Sequence, residues 1–167
     1  MANGNIRGAV RILSSSEDVA SFTAETLAAL RLKHPAATKP LIVPDQPNAP
    51  PLTTTAKEVA NVVRSFPSDS AGGPDGFRPD HFKDLTSKAT GQAGTSLTEA
   101  LVDLCNLILE GRVPSEVCPV LFGASLVALN KKGGGIRPIA VGSVFRRMVG
   151  RLGCLAIAEE LRPVLQP

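Results

Sequence analysis

Apolar residues recur at three- and four-residue spacing along most of this chain, and two short apolar runs interrupt that pattern. Val19, Phe22, Leu27 and Leu30 keep helical spacing, with Thr23 and Thr26 on the same stripe. Residues 1–33 therefore read as helical, capped within by Ser16 ahead of Glu17 and Asp18 and stopped at Pro35. Six prolines between positions 34 and 51 make an extended connector. Thr55-Ala56-Lys57-Glu58 is a capping box, and Val59, Val62, Val63 and Phe66 form the buried stripe of the helix it opens, which ends at Pro67. Pro79 suits the first position of a short helix burying Phe82 and Leu85. Residues 88–96 are polar and contain glycine, which predicts a loop. Thr95 or Ser96 then caps a helix carrying Leu97, Leu101, Leu104, Cys105, Ile108 and Leu109, closed by Gly111.

The short apolar runs, 126–129 and 136–141, the second interrupted by Arg137, flank Lys131-Lys132-Gly133-Gly134-Gly135. Strand-length runs around a glycine-rich reversal predict a β-hairpin at about 125–141. Pro138 cannot donate to a ladder, so the second strand is an edge or opens at Arg137. A third short strand is expected near 120–122. Ser143 caps a last helix bearing Phe145, Met148, Val149, Leu152, Leu155, Ile157 and Leu161, and Arg162-Pro163 ends it. The fold class read from this pattern is α+β, mostly helical, with one hairpin.

Charge changes the picture. The net charge is only +3, yet residues 112–151 carry seven basic residues against one acid, +6 in forty residues. A basic C-terminal third on a near-neutral body points to a polyanionic partner. Lys131, Lys132 and Arg137 gather three cations at the hairpin, and Arg146, Arg147 and Arg151 fall on one broad face of the following helix. If hairpin and helix pack together, these form one positive surface. The plain alternatives are a solvated turn whose lysines protect a strand edge, and an exposed helix face. Gly72-Gly73-Pro74-Asp75-Gly76 is a turn whose amides could face an anion, with Asp75 as a turn-capping side chain.

Other classes find little support. Six Phe with no Tyr or Trp leave few faces for base stacking. Cys105, Cys118 and Cys154 are odd in number and lack metal-ligand spacing, and His34 and His81 stand far apart. Reduced thiols in an intracellular protein are the expectation, with neither secretion nor a membrane span.

Three blocks carry a family resemblance. They are Phe66-Pro67-Ser68-Asp69-Ser70-Ala71-Gly72-Gly73-Pro74-Asp75-Gly76-Phe77, then Asn106-Leu107-Ile108-Leu109-Glu110-Gly111-Arg112-Val113-Pro114, then Leu129-Asn130-Lys131-Lys132-Gly133-Gly134-Gly135-Ile136-Arg137-Pro138-Ile139. In order and spacing they resemble the N-terminal and fingers region of a non-long-terminal-repeat (LINE-type) retrotransposon reverse transcriptase, over about residues 56–167. Residues 1–52 read from their own pattern as a helical extension with its Pro-rich connector, and the resemblance implies 53–167 as a partial fingers domain of an incomplete right-hand polymerase fold lacking the palm.

It further implies that Lys131 or Lys132 and Arg137 hold the triphosphate of an incoming deoxynucleoside triphosphate. It places Gly72, Gly73, Asp75, Gly76 and Arg78 near an RNA template or RNA–DNA hybrid, with Arg146, Arg147 and Arg151 as further nucleic-acid contacts. The catalytic palm of such enzymes needs aspartate motifs after the hairpin. Here all seven Asp precede it and none are adjacent. The expectation is a fragment that is not catalytic alone, with no cofactor in this chain and Mg only in the complete polymerase. Its partners would be nucleic acid, nucleotide, and the palm region or another protein, in a nuclear setting. The alternatives are a helical protein-interaction module derived from a retroelement, or a truncated fragment with no function of its own.

Overall fold

In the computed structural model, residues 6, 10, 14, 18–34 and 50–165 are described. Their elements are α1 (Ala24–Lys33), α2 (Ala56–Ser65), α3 (Pro79–Leu85), a 3₁₀ turn (Lys88–Thr90), α4 (Gly91–Leu109), α5 (Cys118–Phe122), β1 (Ala124–Asn130), β2 (Ile136–Gly142) and α6 (Val144–Leu165). The chain is mixed α and β, mostly helical, with a two-stranded antiparallel hairpin. It groups into two compact units. The first joins Met1–Val43 to Leu126–Ala140, and the second joins Pro44–Ser125 to Val141–Pro167. The hairpin, assigned from sequence to the second part of the chain, thus groups with the first.

In the first unit, α1 begins later than its apolar spacing predicts. Thr23 is the N-cap, its hydroxyl accepting from the Thr26 N–H at 3.2 Å. Residues 18–20 are extended instead. The Ala20 N–H donates to the Ala128 carbonyl and the Asn130 N–H to the Asp18 carbonyl, both at 2.9 Å, and Val19 bridges Leu129. Ladder bonds along β1 outcompete a helical turn there, and Val19 and Phe22 stay exposed. Ser16 and Glu17, the expected cap, lie outside the described residues, as does most of the Pro-rich connector. Among the described residues its buried cluster is Leu30, Ala128 and Ile136.

The second unit has the larger core. Val59, Val62 and Val63 of α2, Leu101 and Cys105 of α4, and Val144, Met148 and Leu152 of α6 meet with Phe66 and Phe82. Each such burial contributes about 1.5–3 kcal/mol. Leu85, expected inside, is half exposed. Burial pushes the Cys105 thiol up to about 11, which keeps it protonated.

Three other expectations change. Residues 91–96 are helix, not loop. Thr90 ties the entry by donating its hydroxyl to the carbonyls of Leu85 and Ser87, and Gly94 packs so closely on that hydroxyl that no Cβ fits. Residues 118–122 form helix α5 rather than a strand, because Pro119 is tolerated in a first helical turn and later side chains satisfy the last carbonyls. The Ser143 hydroxyl donates to Leu121 O at 3.0 Å and Arg146 Nη1 to Phe122 O at 2.8 Å. Finally, α6 runs through Pro163 to Leu165. A proline in the last turn forfeits one terminal hydrogen bond rather than an interior ladder.

Gly111 behaves as its position in the sequence predicts. At φ +69° its N–H bonds Ile108 O, and the Arg112 N–H bonds Leu107 O, the two bonds that close a Schellman cap.

Candidate nucleic-acid interface

The hairpin turn is closed by the Lys131 N–H donating to Gly135 O and the Gly134 N–H donating to Lys131 O, both at 3.0 Å. Gly134 and Gly135 take φ +87° and +77°, values open to glycine at little cost. Lys131 and Lys132 are exposed at this tip, and Arg137 is exposed on β2. Two of the expected cations therefore share one turn, and the third lies one residue into the returning strand. The outer edge of β1 is covered by residues 18–20, so among the described residues β2 is the free edge, where Pro138 withholds a donor.

The remaining candidate residues belong to the second unit. The loop ahead of α3 is locked from within. The Gly76 N–H donates to Gly73 O at 3.0 Å, the Gly73 N–H to Phe77 O at 3.3 Å, and the Phe77 N–H to Asp75 Oδ1 at 3.0 Å. Three amides of this glycine-rich loop are thus bonded within it rather than offered to an anion. Asp75 is the turn-capping side chain its spacing predicts. Arg78 and Gly76 are exposed, while Gly72 and Gly73 are half-buried. A Cβ on Gly73 would stand 2.6 Å from the Ser143 Cα, so the loop lies directly on the start of α6. Phe77 extends that contact, its ring 6.4 Å from Phe145 and 5.7 Å from Phe82.

The three arginines of α6 are held by carbonyls of neighbouring segments. Arg146 reaches Phe122 O; Arg147 Nη2 donates to Ala71 O at 2.8 Å. Arg151 Nη1 donates to Ser65 O at 3.2 Å and to the Ser65 hydroxyl at 2.8 Å. The guanidiniums of Arg147 and Arg151 lie 5.7 and 4.2 Å from the centre of the Phe66 ring. Burial lowers the pKa of Arg147, reinforced by Arg151 and opposed by Asp75. These arginines are structural ties as well as charges, which spacing along one helix did not reveal.

Spacing also missed Phe66 as their stacking partner and the Asp80–Lys83 anchor. Asp80 accepts the Asp69 N–H and the Lys83 ammonium, both at 2.8 Å, and Lys83 also donates to Phe66 O at 2.7 Å. The Lys83 hydrogen bond, then the Asp69 amide, holds the Asp80 carboxyl below the usual carboxylate range. Asp69 has φ +62°, and this anchor fixes that left-handed turn. An Asp-to-Lys i,i+3 pair just after Pro79 was the available signal.

Among the described residues no three His, Cys, Asp or Glu side chains come together as a metal-holding group. Among them, no helix is long and apolar enough to cross a membrane. No protein-family model matches the sequence, and no curated protein matches it.

Proposed function

We propose that this chain is a fingers portion of an RNA-directed DNA polymerase of the non-long-terminal-repeat retrotransposon type, binding template nucleic acid and the phosphates of an incoming deoxynucleoside triphosphate. The observation that carries this reading is the exposed glycine turn with Lys131 and Lys132, followed by Arg137 on the next strand. An ammonium supplies a compact point charge and a guanidinium a planar fork, the pair of donors that grip a polyphosphate. The ordered three-block resemblance, whose third block is this same turn, supports it through its other two blocks. A nuclear setting follows from the same reading.

The test is fluorescence anisotropy on an RNA–DNA primer–template across a salt series. Lys131→Ala/Lys132→Ala/Arg137→Ala is compared with the unaltered chain. The unaltered chain is expected to lose affinity steeply with salt, and the variant to bind more weakly with a log–log slope smaller by about two to three. Absence of binding at low salt by a folded, monomeric chain would overturn the reading.

A second reading has its own observation. Leu155, Val164 and Leu165 on the C-terminal half of α6 are 65%, 78% and 71% exposed. Exposed apolar side chains at this end of the helix fit a protein partner, whether a palm region or another chain. Salt-insensitive association would favour it.

A further inference from the structure

We propose that the open groove between residues 65–70 and α6 takes a phosphodiester of a single-stranded nucleic acid, gripped by Arg151. This rests on the nucleic-acid reading above and places one strand contact within it. The groove has a volume of about 820 Å³, and its lining includes two arginines, Arg147 and Arg151, and no carboxylate. That charge balance calls for an anionic occupant.

Arg151 is already oriented for one. Its Nη1 is tied to the Ser65 carbonyl and hydroxyl, and its guanidinium lies over Phe66. Among the described residues neither Nε nor Nη2 donates to a protein group. Those two nitrogens share one edge of the guanidinium, the edge that grips two phosphate oxygens together. The long side chain has lost its rotamer freedom before any ligand arrives, which lowers the entropic cost of binding. Phe66, Pro67 and Leu155 give the groove an apolar wall. An unpaired sugar and base can cover that wall, whereas a duplex presents mainly backbone to a groove. Gly150 leaves the groove open: a Cβ there would meet nothing within 4 Å.

The experiment measures anisotropy of a fluorescein-labelled oligouridylate with the whole chain across a salt series. Arg151→Lys keeps the charge and loses the fork. Gly150→Glu puts a carboxylate into the groove while leaving the ties of Arg151 in place, and Gly150→Ala serves as its control. Thermal melting checks that each variant folds. The expected result is roughly tenfold weaker binding for Arg151→Lys with a nearly unchanged salt slope, roughly tenfold weaker binding for Gly150→Glu with a salt slope smaller by about one, and wild-type binding by Gly150→Ala. If both groove variants bind as tightly as the unaltered chain while Lys131→Ala/Lys132→Ala/Arg137→Ala loses binding, the groove assignment falls and the nucleic-acid reading stands. If the unaltered chain binds no oligouridylate at low salt, both fall. If oligoglutamate of equal charge displaces the oligouridylate with equal potency, the groove is a general anion site and the phosphodiester assignment is overturned.

Discussion

Gly73 occupies a place no side chain fits. A Cβ there would approach the Ser143 Cα, the Gly142 carbonyl and the Ser143 nitrogen at 2.6–2.9 Å, and all three are backbone atoms that no rotamer change can move. Gly76 is the useful contrast: its φ is +74°, yet a Cβ would meet nothing within 4 Å. Gly73→Ala is therefore expected to destabilise the fold by about 2–3 kcal/mol through overpacking, and Gly76→Ala by about 1–2 kcal/mol through left-handed strain alone. Urea unfolding checks both, and equal costs would mean that the loop does not bear on α6 as the structure has it. The sequence marks both glycines as turn formers without separating them. A turn preference is local, whereas the requirement at Gly73 comes from a residue seventy positions later. The same holds for Arg147 and Arg151: counting charges finds them, but the carbonyls of Ala71 and Ser65 that they hold lie 76 and 86 residues away in the chain.

At the scale of elements, the sequence is legible wherever the deciding interaction is short-range. The capping box at Thr55 is an example. The Thr55 N–H donates to Glu58 Oε2 at 2.8 Å, and the Glu58 N–H returns to the Thr55 hydroxyl at 3.4 Å. The Schellman closure at Gly111 and the Ser143 cap are likewise local, the latter accepting from the Arg146 N–H at 3.2 Å. Where a distant segment decides, local reading fails. Residues 18–20 pair with β1, and α5 is finished by Ser143 and Arg146.

The capping box carries a pH signature. Hydrogen bonds from the Thr55 hydroxyl and then the Thr55 amide hold Glu58 below the usual carboxylate range. A depressed folded-state pKa gives stability that is present above the unfolded value, about 4.3, and is lost as pH falls through the folded one. Melting temperature should thus drop on acidification below about pH 4.5, and Glu58→Gln should reduce that drop while costing little at neutral pH. Asp80 acts in the same direction through Lys83 and the Asp69 amide, so part of the acid loss should survive in Glu58→Gln. Parallel pH profiles for the two proteins would remove Glu58 from the account.

Over the whole molecule, the residues that carry the nucleotide-phosphate proposal and those that carry the strand-groove proposal belong to different compact units. Their cores are unequal. Among the described residues the hairpin's cluster is Leu30, Ala128 and Ile136, whereas α2, α3, α4 and α6, with Phe66, share ten buried side chains. Local opening costs scale with the apolar contacts that must be broken, so the hairpin should open without unfolding the helices of the second unit. A deficit of even two buried aliphatic side chains is about 3 kcal/mol, roughly a hundredfold in opening equilibrium. In native-state hydrogen exchange, the bonded amides of β1 and β2 should therefore exchange about a hundredfold faster than those near Val62, Cys105 and Met148. Moderate denaturant should accelerate the second group and leave the first nearly unchanged, because local opening exposes little surface. The cluster that the described residues form under the hairpin is the source of that independence. If the two sets of amides exchange at one rate and respond alike to denaturant, the molecule opens only as a whole, and the hairpin has no opening of its own.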